Sequence, residues 1–105
     1  MQGYQLTFFT QQDRRHGWMP LGEWLLKEAL KLGVGGATLS AAAEGFGHHR
    51  KLHSAHFVDL ADQPLEVTMA LSEADTERML LRLREEKINV FYVKTAVEFG
   101  MTCEP

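Results

Sequence analysis

His48, His49, Arg50, Lys51, His53 and His56 crowd into the span 48–56, and two kinds of chemistry suit that set. Imidazole nitrogens ligate zinc, copper or nickel, so His48, His49, His53 and His56 are the ligands a metal-binding module would use. The run offers no carboxylate or thiol to complete such a site, and on a strand His53 and His56 would point to opposite faces. The other chemistry is anion binding. From Gly45 to Val58 the chain has Arg50, Lys51 and four histidines but no acidic residue. Gly45 and Gly47, flanking Phe46, would let backbone N–H groups approach a phosphate or carboxylate. The ligand-binding residues of this reading are Gly45, Phe46, Gly47, His49, Arg50, Lys51 and His53. The plain alternative to both is a solvated hairpin tip. Gly-x-Gly is a poor phosphate signature without a helix directly after it.

Other reactive side chains are less suggestive. Arg14, Arg15 and His16 form a second basic knot, with Asp13 as the obvious local partner, and read as surface ion pairs. Trp18 and Trp24 flank the start of a helix and suit packing or subunit contact better than a stacking platform. Ser40, Ser54 and Ser72 have no nucleophile motif around them. Cys103, the single cysteine, cannot form an internal disulfide, which fits a reducing compartment. No nucleophile, base and orienting acid fall into a recognisable pattern, so the sequence reads as non-catalytic.

The elements that must position these residues follow from periodicity. Tyr4, Leu6 and Phe8 alternate with polar neighbours as a first strand, and a polar loop spans Gln11 to Gly17. Pro20 opens a helix whose Leu21, Leu25 and Leu32 face inward, with Leu26 and Leu30 beside them. Lys27, Glu28 and Lys31 mark its wet side, and Gly33 ends it. Small residues from Ala37 to Glu44 alternate as a second strand, broken by Gly45-Phe46-Gly47. Leu65, Val67, Met69 and Leu71 form a third strand. Ser72 with Asp75 resembles a capping box, opening a helix that runs to about Glu86. Ile88 to Phe99 is a last strand, apolar on both faces. This order predicts an α+β, ferredoxin-like βαββαβ fold: a four-stranded antiparallel sheet with two helices on one face. Phe9, Phe91 and Val93 then fall on the face the helices do not cover, where apolar surface usually marks an interface.

The chain's 105 residues, 45% of them hydrophobic, allow one modest core, hence a single domain spanning 1–105. Eleven Lys and Arg against fourteen Asp and Glu leave a formal charge of −3, which gives no general footprint for nucleic acid. No stretch reaches the roughly 18 apolar residues of a membrane span, so a cytoplasmic protein without membrane insertion is expected.

Gly36-Ala37-Thr38, then Gly45-Phe46-Gly47, a histidine-bearing hairpin and Gln63-Pro64 together resemble domain of unknown function 190, a bacterial family grouped with PII-like signalling proteins. Pro20-Leu21, Leu52-His53-Ser54, Leu60 and Ser72-Glu73 fall where that pattern puts them, so the resemblance covers nearly the whole chain. It implies homotrimers with inward-facing sheets and ligand clefts between subunits. It also implies a loop between the second and third core strands that reports the state of a ligand, an adenine nucleotide or another small anion, to a protein target. The chain departs from the family at Ala41 and Ala42, where an arginine and a glycine are usual, and at Leu71, where an aspartate is. Arg84-Glu85-Glu86-Lys87 replaces the glycine-rich phosphate loop of true PII proteins. A small ferredoxin-like enzyme with its site in a subunit cleft is the remaining alternative.

Overall fold

The computed structural model describes residues 1–42, 44–45, 53–54 and 63–103. In chain order the elements are β1 (Gln2–Gln11), β2 (Arg15–His16), β3 (Met19–Pro20), α1 (Leu21–Lys31), β4 (Ala37–Ala41), β5 (Glu44–Gly45), β6 (His53–Ser54), β7 (Pro64–Ser72), α2 (Glu73–Glu85) and β8 (Phe91–Glu98). The long strands form one antiparallel sheet in the order β4-β7-β1-β8, the ferredoxin-like arrangement expected.

Alternation along the strands decides which face is dry. Leu6 and Phe8 of β1 and Leu65, Val67, Met69 and Leu71 of β7 are buried beneath the helices. They meet Leu21, Trp24, Leu25 and Ala29 of α1 and Met79, Leu80 and Leu83 of α2. Burying each large side chain contributes about 1.5–3 kcal/mol, which suffices to hold both helices on that face.

Both helices end in the same way. At α1, Gly33 (φ 77°) lets Val34 N–H donate to the Ala29 carbonyl and Gly33 N–H to that of Leu30, a Schellman closure. At α2, Ile88 N–H donates to Leu83 and Lys87 N–H to Arg84, with Lys87 taking the left-handed conformation at φ 56°. The starts differ. Ser72 caps α2, its Oγ accepting from Asp75 N–H at 3.2 Å. Pro20 lends α1 no side-chain cap; instead Leu21 N–H donates to the Arg14 carbonyl at 2.8 Å.

The other face of the sheet is left open by the described residues. Register places Thr38, Thr68, Thr7 and Val93 in one row across it and Ser40, Glu66, Phe9 and Phe91 in the next. The Thr7 and Thr68 hydroxyls are 3.4 Å apart. Phe9 and Phe91 pack with ring centroids 5.6 Å apart, and Phe91 and Val93 remain 49% and 43% exposed. The apolar residues expected on this face are therefore there, but gathered at its β8 side beside a hydroxyl-rich strip.

Several expectations need correction. The polar stretch after β1 is not a plain loop: Arg15 and His16 pair with Pro20 and Met19 in a short hairpin. Glu28 is not on the wet side of α1; it is only 5% exposed, with Arg82 of α2 reaching to 3.6 Å of its carboxylate, while Leu30 is exposed. The last strand starts at Phe91, since the chain must first leave α2 through its closing turn.

Candidate functional site

The β1→α1, β4→β7 and α2→β8 connections all emerge at one end of the sheet, because β1 and β4 finish there and β7 and β8 begin there. The β4→β7 connection carries the candidate ligand loop. Its base is paired: Glu44 opposes Ser54 and Gly45 opposes His53. Below that, Ala42 N–H donates to the Pro64 carbonyl at 2.9 Å, and Gln12 N–H donates to the Gln63 carbonyl at 2.9 Å. The two ends of the connection are thus hydrogen-bonded at the sheet, Ala42 to the start of β7 and Gln63 to the residue after β1. Of the predicted site residues, Gly45 and His53 are paired with each other. Phe46, Gly47, His49, Arg50 and Lys51, and the alternative metal ligands His48 and His56, lie outside the described residues.

Beside these ends, the basic knot is wired differently from its expected pairing with Asp13. Asp13 accepts from the Gln11 amide at 2.7 Å. Arg14 donates instead to the Asn89 carbonyl, across the sheet end to the α2→β8 turn. Partial burial pushes its guanidinium below the usual value, though an arginine stays charged at any working pH. Arg15 donates to the Trp18 carbonyl at 2.7 Å and closes the hairpin on itself. His16 Nε2 meets Glu86 Oε1 at 2.9 Å, and its ring stands edge-on to Trp24 with centroids 5.2 Å apart. Trp24 is 8% exposed and is indeed a packing residue, whereas Trp18, at the hairpin tip, is 87% exposed.

Arg82 completes this cluster. It approaches Glu86 at 3.1 Å, Glu28 at 3.6 Å and Glu85 at 4.0 Å, and its guanidinium carbon lies 5.8 Å from the Trp24 ring centroid. The hydrogen bond to Glu86 is the main influence raising its pKa. The Glu86 carboxyl is held below the usual carboxylate range, first by the hydrogen bond from His16 and then by that from Arg82. Helical spacing alone could pair Arg82 with Glu85 and Glu86, but the links to His16, Trp24 and Glu28 join residues far apart in sequence and have no local signal.

Among the described residues, no three His, Cys, Asp or Glu side chains stand close enough to hold a metal ion. No helix among them is long and apolar enough to cross a membrane. Cys103 is exposed and unpaired.

Residues 3–98 match the family DUF190, described as Uncharacterized ACR, COG1993. The chain belongs to that family. No curated protein matches it. Among solved structures, a protein of Thermus thermophilus assigned to PII-like signalling is 24% identical, with a TM-score of 0.68 over 92% of this chain and 88% of its own. CPII of Thiomonas intermedia K12, a nitrogen regulatory PII-like protein bound to ADP, AMP and bicarbonate, is 15% identical. Its TM-score is 0.69, over 96% of this chain and 91% of that one. The same protein's apo form superposes with a TM-score of 0.53 at 12% identity, over 93% and 96% of the two chains. The DUF190 chain therefore shares the ferredoxin-like fold of these PII-like proteins.

Proposed function

We propose that this DUF190 chain is a non-catalytic PII-like regulator, a single domain that assembles as a cytoplasmic homotrimer and senses a small anion or an adenine nucleotide. Its receptor is the β4→β7 loop, with Gly45, Phe46, Gly47, His49, Arg50, Lys51 and His53 as the ligand-binding residues, and its output is contact with a protein target. The observation that carries this reading is the bonding at the ends of that loop. The ends of a connection rich in cations and glycines are hydrogen-bonded at β1 and β7, and Glu44–Gly45 pairs with His53–Ser54 within it, which supports a route from the loop to the sheet. The ADP, AMP and bicarbonate bound by CPII supply the ligand classes to try.

Ala41 and Ala42 bring no side-chain cation to the end of β4, and the Ala42 N–H is already committed to Pro64. Arg50 and Lys51 are the permanent cations of this loop and are the ones to remove. Titration calorimetry with ADP, AMP and bicarbonate in turn tests this. Replacing both cations by alanine should weaken binding of the recognised anion at least several-fold, because charge-assisted hydrogen bonds contribute about 1.5–3 kcal/mol each. Stability should stay nearly constant. Undiminished affinity in the double variant, or no binding of any of the three at millimolar concentration, would remove the loop from this role.

A further inference from the structure

The β2–β3 hairpin has two attachments to the far side of the sheet end, and they differ in kind. Arg14, just before β2, holds the Asn89 carbonyl, a contact between a permanent cation and a neutral acceptor. His16, within β2, holds the Glu86 carboxylate, and an imidazole is the side chain whose charge changes between about pH 5 and 8. Arg15 closes the hairpin through the Trp18 carbonyl and Met19 packs against the core, so it is the Gly17–Trp18 tip that depends on the second attachment.

We propose that the Arg15–Pro20 hairpin is a proton-operated clasp, closed on the C-terminal end of α2 by protonated His16 and loosened when that imidazole is neutral. The charged groups around the ring set the balance. From α2, Glu86 bonds His16 directly, while Arg82 competes for the same carboxylate and Glu85 draws Arg82 away. From α1, Trp24 packs T-shaped against the imidazole, and Glu28, itself 3.4 Å from Lys31, takes part of the Arg82 charge. Arg14 and Arg15 spend their guanidinium groups on carbonyls of Asn89 and Trp18, away from the imidazole–carboxylate contact. Neutralising His16 leaves Arg82 as the cation on Glu86 and reduces the hairpin's bond from a charge-assisted to an ordinary one. The Arg14 attachment persists, so opening swings the tip that carries Trp18 and leaves the core closed.

Amide hydrogen exchange tests the clasp. After division by the intrinsic exchange rates, exchange at Gly17 and Trp18 should rise about fivefold between pH 6 and pH 8, the ratio separating a charge-assisted hydrogen bond from an ordinary one. His16→Gln keeps a donor but cannot titrate, so its corrected exchange should be flat over the same range. Glu86→Gln, which removes the charge the imidazolium meets, should flatten it too. A second reading uses Trp18→Phe, which leaves Trp24 as the only indole. An imidazolium packed against an indole quenches fluorescence, so emission should climb with pH in that protein and stay level once His16→Gln is added. Flat corrected exchange in the wild type, or an equal rise in His16→Gln, would overturn the proposal.

Discussion

Arg82 reaches from α2 to a carboxylate that α1 has buried, its Nε 3.6 Å from Glu28 Oε2, so each helix supplies what the other needs at their contact. The guanidinium is only about two-thirds covered while the carboxylate is almost fully so, and the two ends are therefore not equally replaceable.

Removing the cation should do more harm than neutralising the acid. Arg82→Ala strands Glu28 with only the exposed Lys31 for company and strips the cover from Trp24. It should cost about 2 kcal/mol in chemical denaturation, within the range for a buried polar group left without its partner. Glu28→Gln keeps the shape and removes the charge, and should cost less than half as much. Equal costs would mean that the buried carboxylate does not depend on Arg82.

Lys87 closes α2 in a conformation that glycine adopts freely and a side chain resists by roughly 1–2 kcal/mol. Lys87→Gly should therefore stabilise the protein by up to about 1 kcal/mol, after the entropy glycine adds to the unfolded chain is deducted. The denaturation midpoint should move upward; a fall would show that the lysine side chain contributes something the turn geometry does not reveal.

Acid should weaken the fold partly through Glu86. Its folded-state pKa lies below its unfolded value, so its contribution is complete above the ordinary carboxylate pKa near about 4.3 and is lost as pH falls through the lower, folded value. A pH series of melting temperatures should decline on the acid side of pH 5, and less steeply in Glu86→Gln. Parallel acid limbs in the two proteins would assign the loss to other carboxylates.

The proposed trimer is tested at Phe91, which is half-exposed in the isolated chain and packs against Phe9 on the open face. Phe91→Glu should leave a folded protein with a monomer's mass by light scattering. A carboxylate covered by a neighbouring sheet without a partner is too costly to keep. A variant that kept a trimer's mass at low micromolar concentration would place the interface elsewhere.

Much of this architecture is written in local patterns. The alternation of Leu65, Val67, Met69 and Leu71 sets the inner face of β7 because a strand has a period of two. Ser72, Asp75 and Gly33 mark helix ends through backbone needs that few residues meet. What the patterns do not carry is pairing between distant polar groups. Glu28 looks wet on its own helix, and only the arrival of Arg82 from α2 makes its burial tolerable. His16 and Arg14 look like partners for Asp13 until the fold brings Glu86 and Asn89 closer. The candidate loop is legible as composition, and the pairing of Gly45 with His53 at its base comes only from the structure.

The hydroxyl row Thr38–Thr68–Thr7, beside the apolar corner of Phe9, Phe91 and Val93, also bears on temperature. Apolar and polar surface change heat capacity in opposite directions when water reaches them. Uncovering this face therefore sums terms that largely cancel, whereas uncovering the core beneath the helices sums terms of one sign. Whatever packs on the open face is held by a free energy whose enthalpy varies little with temperature. Its grip should be nearly as even in the cold as in the warm, while the stability of the fold beneath it follows the usual dome.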